Sequence, residues 1–153
     1  MTRNNLILLA AFGSLAMLIG AFGFQILGEM PPCKLCVWQR WPHGVAVVAG
    51  LLAFLTGWRI WPLIGMQGAL ATSAIGFYHA GVEQKWWQGP TGCTAPDISG
   101  LSPLQLLEQI NATALVRCDE IPWEMFGLSM ATWNGIISLG FAFIWLLAMR
   151  QKS

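Results

Sequence analysis

The sequence predicts an all-α integral membrane protein: a four-helix bundle of up-down topology, with one long extracytoplasmic loop that carries a short amphipathic helix. Three observations predict it. Hydrophobic residues make up 56% of the 153-residue chain and charged residues 10%, with a mean hydropathy of +0.58, too apolar for a water-facing domain. Four apolar segments, at about residues 6–27, 37–58, 60–78 and 129–149, reach the roughly 17–25 residues that a helix needs to cross a bilayer. Between the second and third segments lies only the short turn around Arg59, flanked by Trp58 and Trp61 with Pro62 next. The length suits a single domain, residues 1–153. A net charge of +1 gives no case for nucleic acid as a partner.

The first segment, Leu6 to Leu27, carries no charge, and Gln25 is its only amide or ionisable side chain. Its apolar run is longer than the roughly 7–15 residues of a signal-peptide core, and no A-x-A site follows, so it is expected to be a retained span. The second is apolar from Gly44 to Gly57 but carries Arg40 and His43 near its start. The turn at Arg59 makes the second and third segments antiparallel neighbours. Parity then places both termini on one side and the 28–36 and 79–128 loops on the other. All four cysteines, Cys33, Cys36, Cys93 and Cys118, therefore share one face.

Arg3, Arg59, Arg150 and Lys152 fall on the terminal side, and Lys34, Arg40, Lys85 and Arg117 on the cysteine side. All seven acids (Glu29, Glu83, Asp97, Glu108, Asp119, Glu120 and Glu124) join the cysteines. Acids contribute little to orientation, but disulfides belong outside the cytosol, so the cysteines are expected to face the periplasm and both termini the cytoplasm. Trp38, Trp41, Trp86, Trp87, Trp123 and Trp133 at one boundary, with Trp58, Trp61 and Trp145 at the other, read as aromatic belts.

A connection of some fifty residues in so small a chain points to function. Gly89-Pro90-Thr91-Gly92 reads as turn material before Cys93. Ser102-Pro103-Leu104-Gln105 supplies an N-cap, an N1 proline and an N3 glutamine. Leu104, Leu107 and Ile110 then recur at helical spacing, which predicts a short amphipathic helix on the membrane surface. Ile121 to Phe126 reads as a second interfacial contact, and Asn111-Ala112-Thr113 matches a glycosylation sequon.

Three chemistries compete for the cysteines. Zinc favours two close pairs, whereas here only Cys33-Lys34-Leu35-Cys36 is close and Cys93 and Cys118 are far apart; no metal is expected. A staple between Cys93 and Cys118 would contribute about 3 to 4 kcal/mol in the chain-entropy account, yet leaves the C-x-x-C unexplained. Redox chemistry uses that motif directly. Pro31 and Pro32 precede Cys33 at a helix start, where orphan N–H groups and the dipole lower a thiol pKa. Cys36, Arg40 and His43 at i, i+4 and i+7 share a face, so Arg40 could stabilise a thiolate and hydrogen-bond an acceptor, or serve as a snorkelling anchor. His79 ends the third segment and reads as packing, an acceptor-site donor or, together with His43, a haem ligand. Haem is disfavoured because both histidines sit at helix ends.

Four spans, Pro32-Cys33-x-x-Cys36 followed by Arg40, the long loop with Cys93 and Cys118, and Phe126-Gly127-Leu128 entering the last span together resemble the bacterial disulfide bond formation protein B (DsbB) family over nearly the whole chain. The resemblance implies a protein-disulfide:quinone oxidoreductase of the bacterial inner membrane. It would reoxidise a periplasmic thioredoxin-like, DsbA-like oxidase and pass the electrons to ubiquinone or menaquinone. On that analogy Cys93 and Cys118 form a loop disulfide that meets the partner, Cys118 exchanges with Cys33, Cys36 faces quinone, and Arg40 and His79 support quinone binding. The alternative is a non-catalytic scaffold, stapled by disulfides or binding zinc.

Overall fold

A computed structural model describes residues 1–94, 102–112 and 116–151. Asp97, Lys152 and Thr113 of the sequon lie outside the described residues, as does the side chain of Ile110. Four long helices dominate: α1 (Arg3–Ile26), α2 (Lys34–Thr56), α3 (Ile60–Glu83) and α5 (Met130–Arg150), with the short α4 (Pro103–Ala112) in the loop before α5. Three of them, α1, α3 and α5, are long and apolar enough to cross a membrane. The 23-residue α2 is as long, but Gln39, Arg40, Pro42 and His43 dilute its first half.

The caps follow from the sequence. Thr2, Cys33 and Ser129 each accept a backbone N–H at the starts of α1, α2 and α5. Gly57 closes α2 at φ +70°, the left-handed conformation that glycine adopts without a Cβ penalty. At α4, Gln105 N–H donates to the Ser102 hydroxyl while Ser102 N–H donates to the Gln105 side chain, a reciprocal capping box. Leu104 and Leu107 on that helix are exposed.

The expectation of an all-α chain misses a short antiparallel hairpin, β1 (Glu124–Met125) with β2 (Leu128–Ser129). Its two-residue turn, Phe126-Gly127, has φ of +55° and +73°, the double-positive pair that a tight hairpin turn requires. The Trp133 indole donates to the Met125 carbonyl, which ties the hairpin to the first turn of α5.

The helices pack as a ring in which α1 meets α2 and α5, and α3 meets α2 and α5. Arg3 donates to the carbonyl of Trp58 in the α2–α3 turn. The core at that end consists of Leu6, Ile7, Ala10, Ala11, Ala53, Ala69, Ala142, Ala148 and Trp145. Trp145 corrects the belt expectation: it is fully buried, with α3 pressed against its indole at Gly65. A Cβ there would stand 2.6 Å from the ring. Further along, a Cβ on Gly76 would stand 2.8 Å from the Gly135 amide nitrogen. With no hydrophobic drive between helices in lipid, such close backbone approach supplies the packing.

Replacing Gly76 by alanine should therefore push α3 and α5 apart and cost about 1–3 kcal/mol. Gly20→Ala, with open space around it, is the control. Thermal unfolding in detergent should show a lowered midpoint for the first substitution alone.

Candidate redox site

The site forms where the start of α2 and the end of α3 meet the long loop. Two prolines end the preceding segment, and Cys33 then caps α2, its sulfur accepting the Cys36 N–H at 3.2 Å. This geometry brings the two sulfurs within 2.7 Å of each other as free thiols, Cys33 buried and Cys36 half-buried. The pair splits its proton unequally. Donating a hydrogen bond to Cys36, together with burial, raises the Cys33 pKa. Accepting that bond, aided by the Cys36 contact with the Cys33 backbone and by the Arg40 charge, lowers the Cys36 pKa despite burial and the nearby Glu83. Cys36 is thus the more acidic thiol of the pair.

Cys93 and Cys118 form a disulfide, and the Cys118 N–H donates to the Cys93 carbonyl at 2.7 Å. Both are fully buried and packed with Cys33, Leu35 and Val82. The resemblance makes this pair the partner-facing disulfide; here it is enclosed, because Gly89 lets the loop fold tightly over Cys93 and Lys34 donates to the Thr91 carbonyl at 3.2 Å.

His79 joins the two pairs. Its Nε2 lies 3.6 Å from the Cys33 sulfur and 3.2 Å from the Cys118 carbonyl. The ligand-capable atoms of Cys33, His79 and Cys118 all lie within 4.8 Å of one another, but the Cys118 sulfur is bonded to Cys93. Glu83, one turn beyond His79, is buried, stands 3.9 Å from Nε2 and accepts a hydrogen bond from Ser129.

Arg40 points to α1. It donates to the Gln25 side chain at 2.6 Å and to the Ala21 carbonyl at 3.3 Å, and its guanidinium lies 4.7 Å from the centroid of the Phe22 ring. Its Nε is buried and unpartnered. Whereas Arg40 reaches α1, His43 donates from Nε2 to the Asn134 side-chain oxygen on α5, 2.9 Å away.

The family model for disulfide bond formation protein DsbB matches residues 3–148. The chain belongs to the DsbB family. It is 27% identical to a disulfide bond formation protein B of Hahella chejuensis over 97% of this chain and 95% of that one. Identity to the protein of that name from Shewanella frigidimarina is 30%, covering 95% and 87%. The namesake from Alkalilimnicola ehrlichii matches at 38% over a shorter stretch, 48% of this chain and 46% of the other. DsbB membership, three membrane-capable helices and two cysteine pairs together make this a multi-pass membrane protein of disulfide bond formation, with oxidoreductase chemistry at thiols.

Sequence reasoning placed Cys33, Cys36, Cys93, Cys118 and His79 together but missed Glu83, Gln39 and Asn134. The i, i+4 step from His79 to Glu83 was a legible signal, as was the lone amide Asn134 in the apolar α5. In the reduced C-x-x-C, iodoacetamide should label Cys36 before Cys33, with half-maximal rate below the about pH 8.5 of a free thiol. Mass spectrometry of the labelled peptide across pH reads both the order and the midpoint.

Proposed function

We propose that the protein reoxidises a periplasmic thioredoxin-like dithiol oxidase of the DsbA type and delivers the electrons to membrane quinone. The observation that carries this reading is the convergence of the two cysteine pairs, with Cys33 and Cys118 sulfurs within 4.8 Å. A scaffold stapled at Cys93–Cys118 leaves the free thiols and their split protonation without a role.

The exchange balances at each step. A partner thiolate attacks Cys93, and the electron pair of the broken Cys93–Cys118 bond leaves on Cys118. The second partner thiol releases the oxidised partner. Cys118 then attacks Cys33 of an oxidised C-x-x-C, freeing Cys36 as a thiolate. Cys93 attacks Cys118 in turn, which restores the loop disulfide and leaves Cys33 reduced. The net change is a partner disulfide formed and a C-x-x-C reduced by two electrons.

A quinone, ubiquinone or menaquinone, supplies a two-electron acceptor when bound. The residues present fit such a group: the orphaned Arg40 Nε–H is a buried donor without an acceptor, one helical turn from Cys36, and an oxygen there would satisfy it. Gln25 and Phe22 hold the guanidinium in place. His79 touches Cys33 rather than Arg40, so its service is to the cysteines and not directly to a group bound at Arg40.

The same reading includes a single domain, residues 1–153, as an up-down four-helix bundle in the bacterial inner membrane, with cysteines facing the periplasm and termini the cytoplasm. It draws support from Arg3 meeting the α2–α3 turn, from Phe24 and Trp123 in ring contact near the cysteine end, and from the site at the junction of α2, α3 and the loop. α4 would rest its exposed leucines on the lipid.

Oxidised protein, a reduced thioredoxin-like dithiol and a soluble quinone, mixed anaerobically, should show loss of quinone absorbance; no loss overturns the proposal. Cys36→Ser should abolish quinone reduction while the loop disulfide still reacts with the partner. Arg40→Ala should raise the apparent KM for quinone about tenfold, the effect of one charge-assisted hydrogen bond.

A further inference from the structure

A chain of buried polar side chains runs inward from Cys33 through three helices: His79 on α3, Gln39 on α2, Asn134 on α5 and His43 on α2, each less than a tenth exposed. Among apolar helices such groups persist only where partners satisfy them. The pattern of partners fixes which end of each amide faces which neighbour, because backbone carbonyls only accept.

Asn134 directs one side-chain end at the Thr72 carbonyl, 3.4 Å away, and at the Thr72 hydroxyl, 3.1 Å away. That end must be its NH2, and it also donates to Gln39 Oε1 at 2.7 Å. Its oxygen accepts from His43 Nε2–H at 2.9 Å and from the Ser138 hydroxyl at 3.4 Å. Gln39 is fixed in the same way: its Oε1 is taken by Asn134, and its NH2 donates to the Leu35 carbonyl at 3.2 Å. That NH2 also faces His79 Nδ1 at 3.0 Å. An NH2 group offers hydrogens alone, so Nδ1 must be the bare ring nitrogen and the ring proton sits on Nε2. Nε2 is the atom that meets the Cys33 sulfur and the Cys118 carbonyl.

We propose that Gln39 and Asn134 are positioning residues that lock His79 in its Nε2–H tautomer, making it a hydrogen-bond donor to Cys33 and not a base. This rests on the thiol relay proposed above. In that relay the Cys33–Cys118 bond breaks as Cys93 re-forms its bond to Cys118, and the electron pair stays on the Cys33 sulfur. A fixed N–H aimed at that sulfur stabilises the leaving thiolate, and a better-stabilised leaving thiolate departs faster. The same N–H bonds the Cys118 carbonyl, which keeps the two reacting residues in register. Glu83 Oε1, 3.9 Å from Nε2, is the acidic group beside the ring, and Gln39 is neutral, so the orientation is set by hydrogen bonding at Nδ1.

The test uses the full chain in detergent, with histidine labelled by nitrogen-15, at about pH 8, where an ordinary imidazole is neutral. His79, assigned by the loss of its signals in His79→Ala, should show a protonated Nε2 and an unprotonated Nδ1. Gln39→Glu, which replaces the donor by a carboxylate, should protonate Nδ1. In rapid-quench experiments, Gln39→Leu should slow the resolution of the Cys33–Cys118 disulfide roughly tenfold, as expected for one hydrogen bond to a charged sulfur. A protonated Nδ1 in the unaltered protein overturns the assignment whether or not any variant folds. Resolution at the unaltered rate in Gln39→Leu overturns the catalytic consequence. If the unaltered protein forms no Cys33–Cys118 disulfide while Nε2 is protonated, the relay falls and the tautomer assignment is supported.

Discussion

The structure depends on His79 more than on any other single side chain. It touches the C-x-x-C helix start, the loop carrying the disulfide and the polar interior of the helices at once. Loops over a membrane protein have little apolar surface with which to hold themselves down, so directional contacts decide where they sit. Here a donor buried at the end of α3 accepts that task, and the loop disulfide is drawn onto Cys33 by its own backbone carbonyl. Without the imidazole, the two cysteine pairs keep their packing with Leu35 and Val82 and the Lys34 bond to the Thr91 carbonyl.

That closure has a chemical consequence. Cys93 and Cys118 are enclosed in this arrangement, which suits exchange between Cys118 and Cys33 and excludes a macromolecular partner from Cys93. Access for a partner requires the loop to lift. The hydrogen bonds that hold it at the site include an exposed one, Lys34 to the Thr91 carbonyl, and a buried one, His79 to the Cys118 carbonyl. Local opening of such a segment costs far less than global unfolding. In the proposed relay the enclosed arrangement serves exchange with the C-x-x-C, and a lifted one would meet the partner.

Much of this was legible in the sequence. Long apolar runs announced the helices, Ser102 and Gln105 announced the cap of α4, and Pro-Pro before Cys33 announced a helix start at the C-x-x-C. Parity put the cysteines on one face. What was not legible depended on tertiary contact. Trp145 looked like a belt residue because position in a span says nothing about which side faces lipid; Gly65 on α3 makes its place in the core. Phe126-Gly127 was noticed as a pattern, but a two-residue strand on either side is too short for alternation to show. Gln39 and Asn134 stand 95 positions apart, and no local period links them.

Arg40 shows how the two halves of the site are kept separate. A cation in this setting must be paired or hydrogen-bonded, and Arg40 spends both terminal nitrogens on α1, at Gln25 and the Ala21 carbonyl. That fixes the guanidinium on the far side of α2 from His79, whose partners are Cys33, Cys118 and Gln39. The C-x-x-C thus has a different polar neighbour for each sulfur: an imidazole N–H for Cys33 and a guanidinium for Cys36. In the proposed relay, such an arrangement separates thiol exchange at Cys33 from electron exit at Cys36. The hydrogen bond from Cys33 is the main reason that Cys36 is the more acidic sulfur, and the Arg40 charge adds to it.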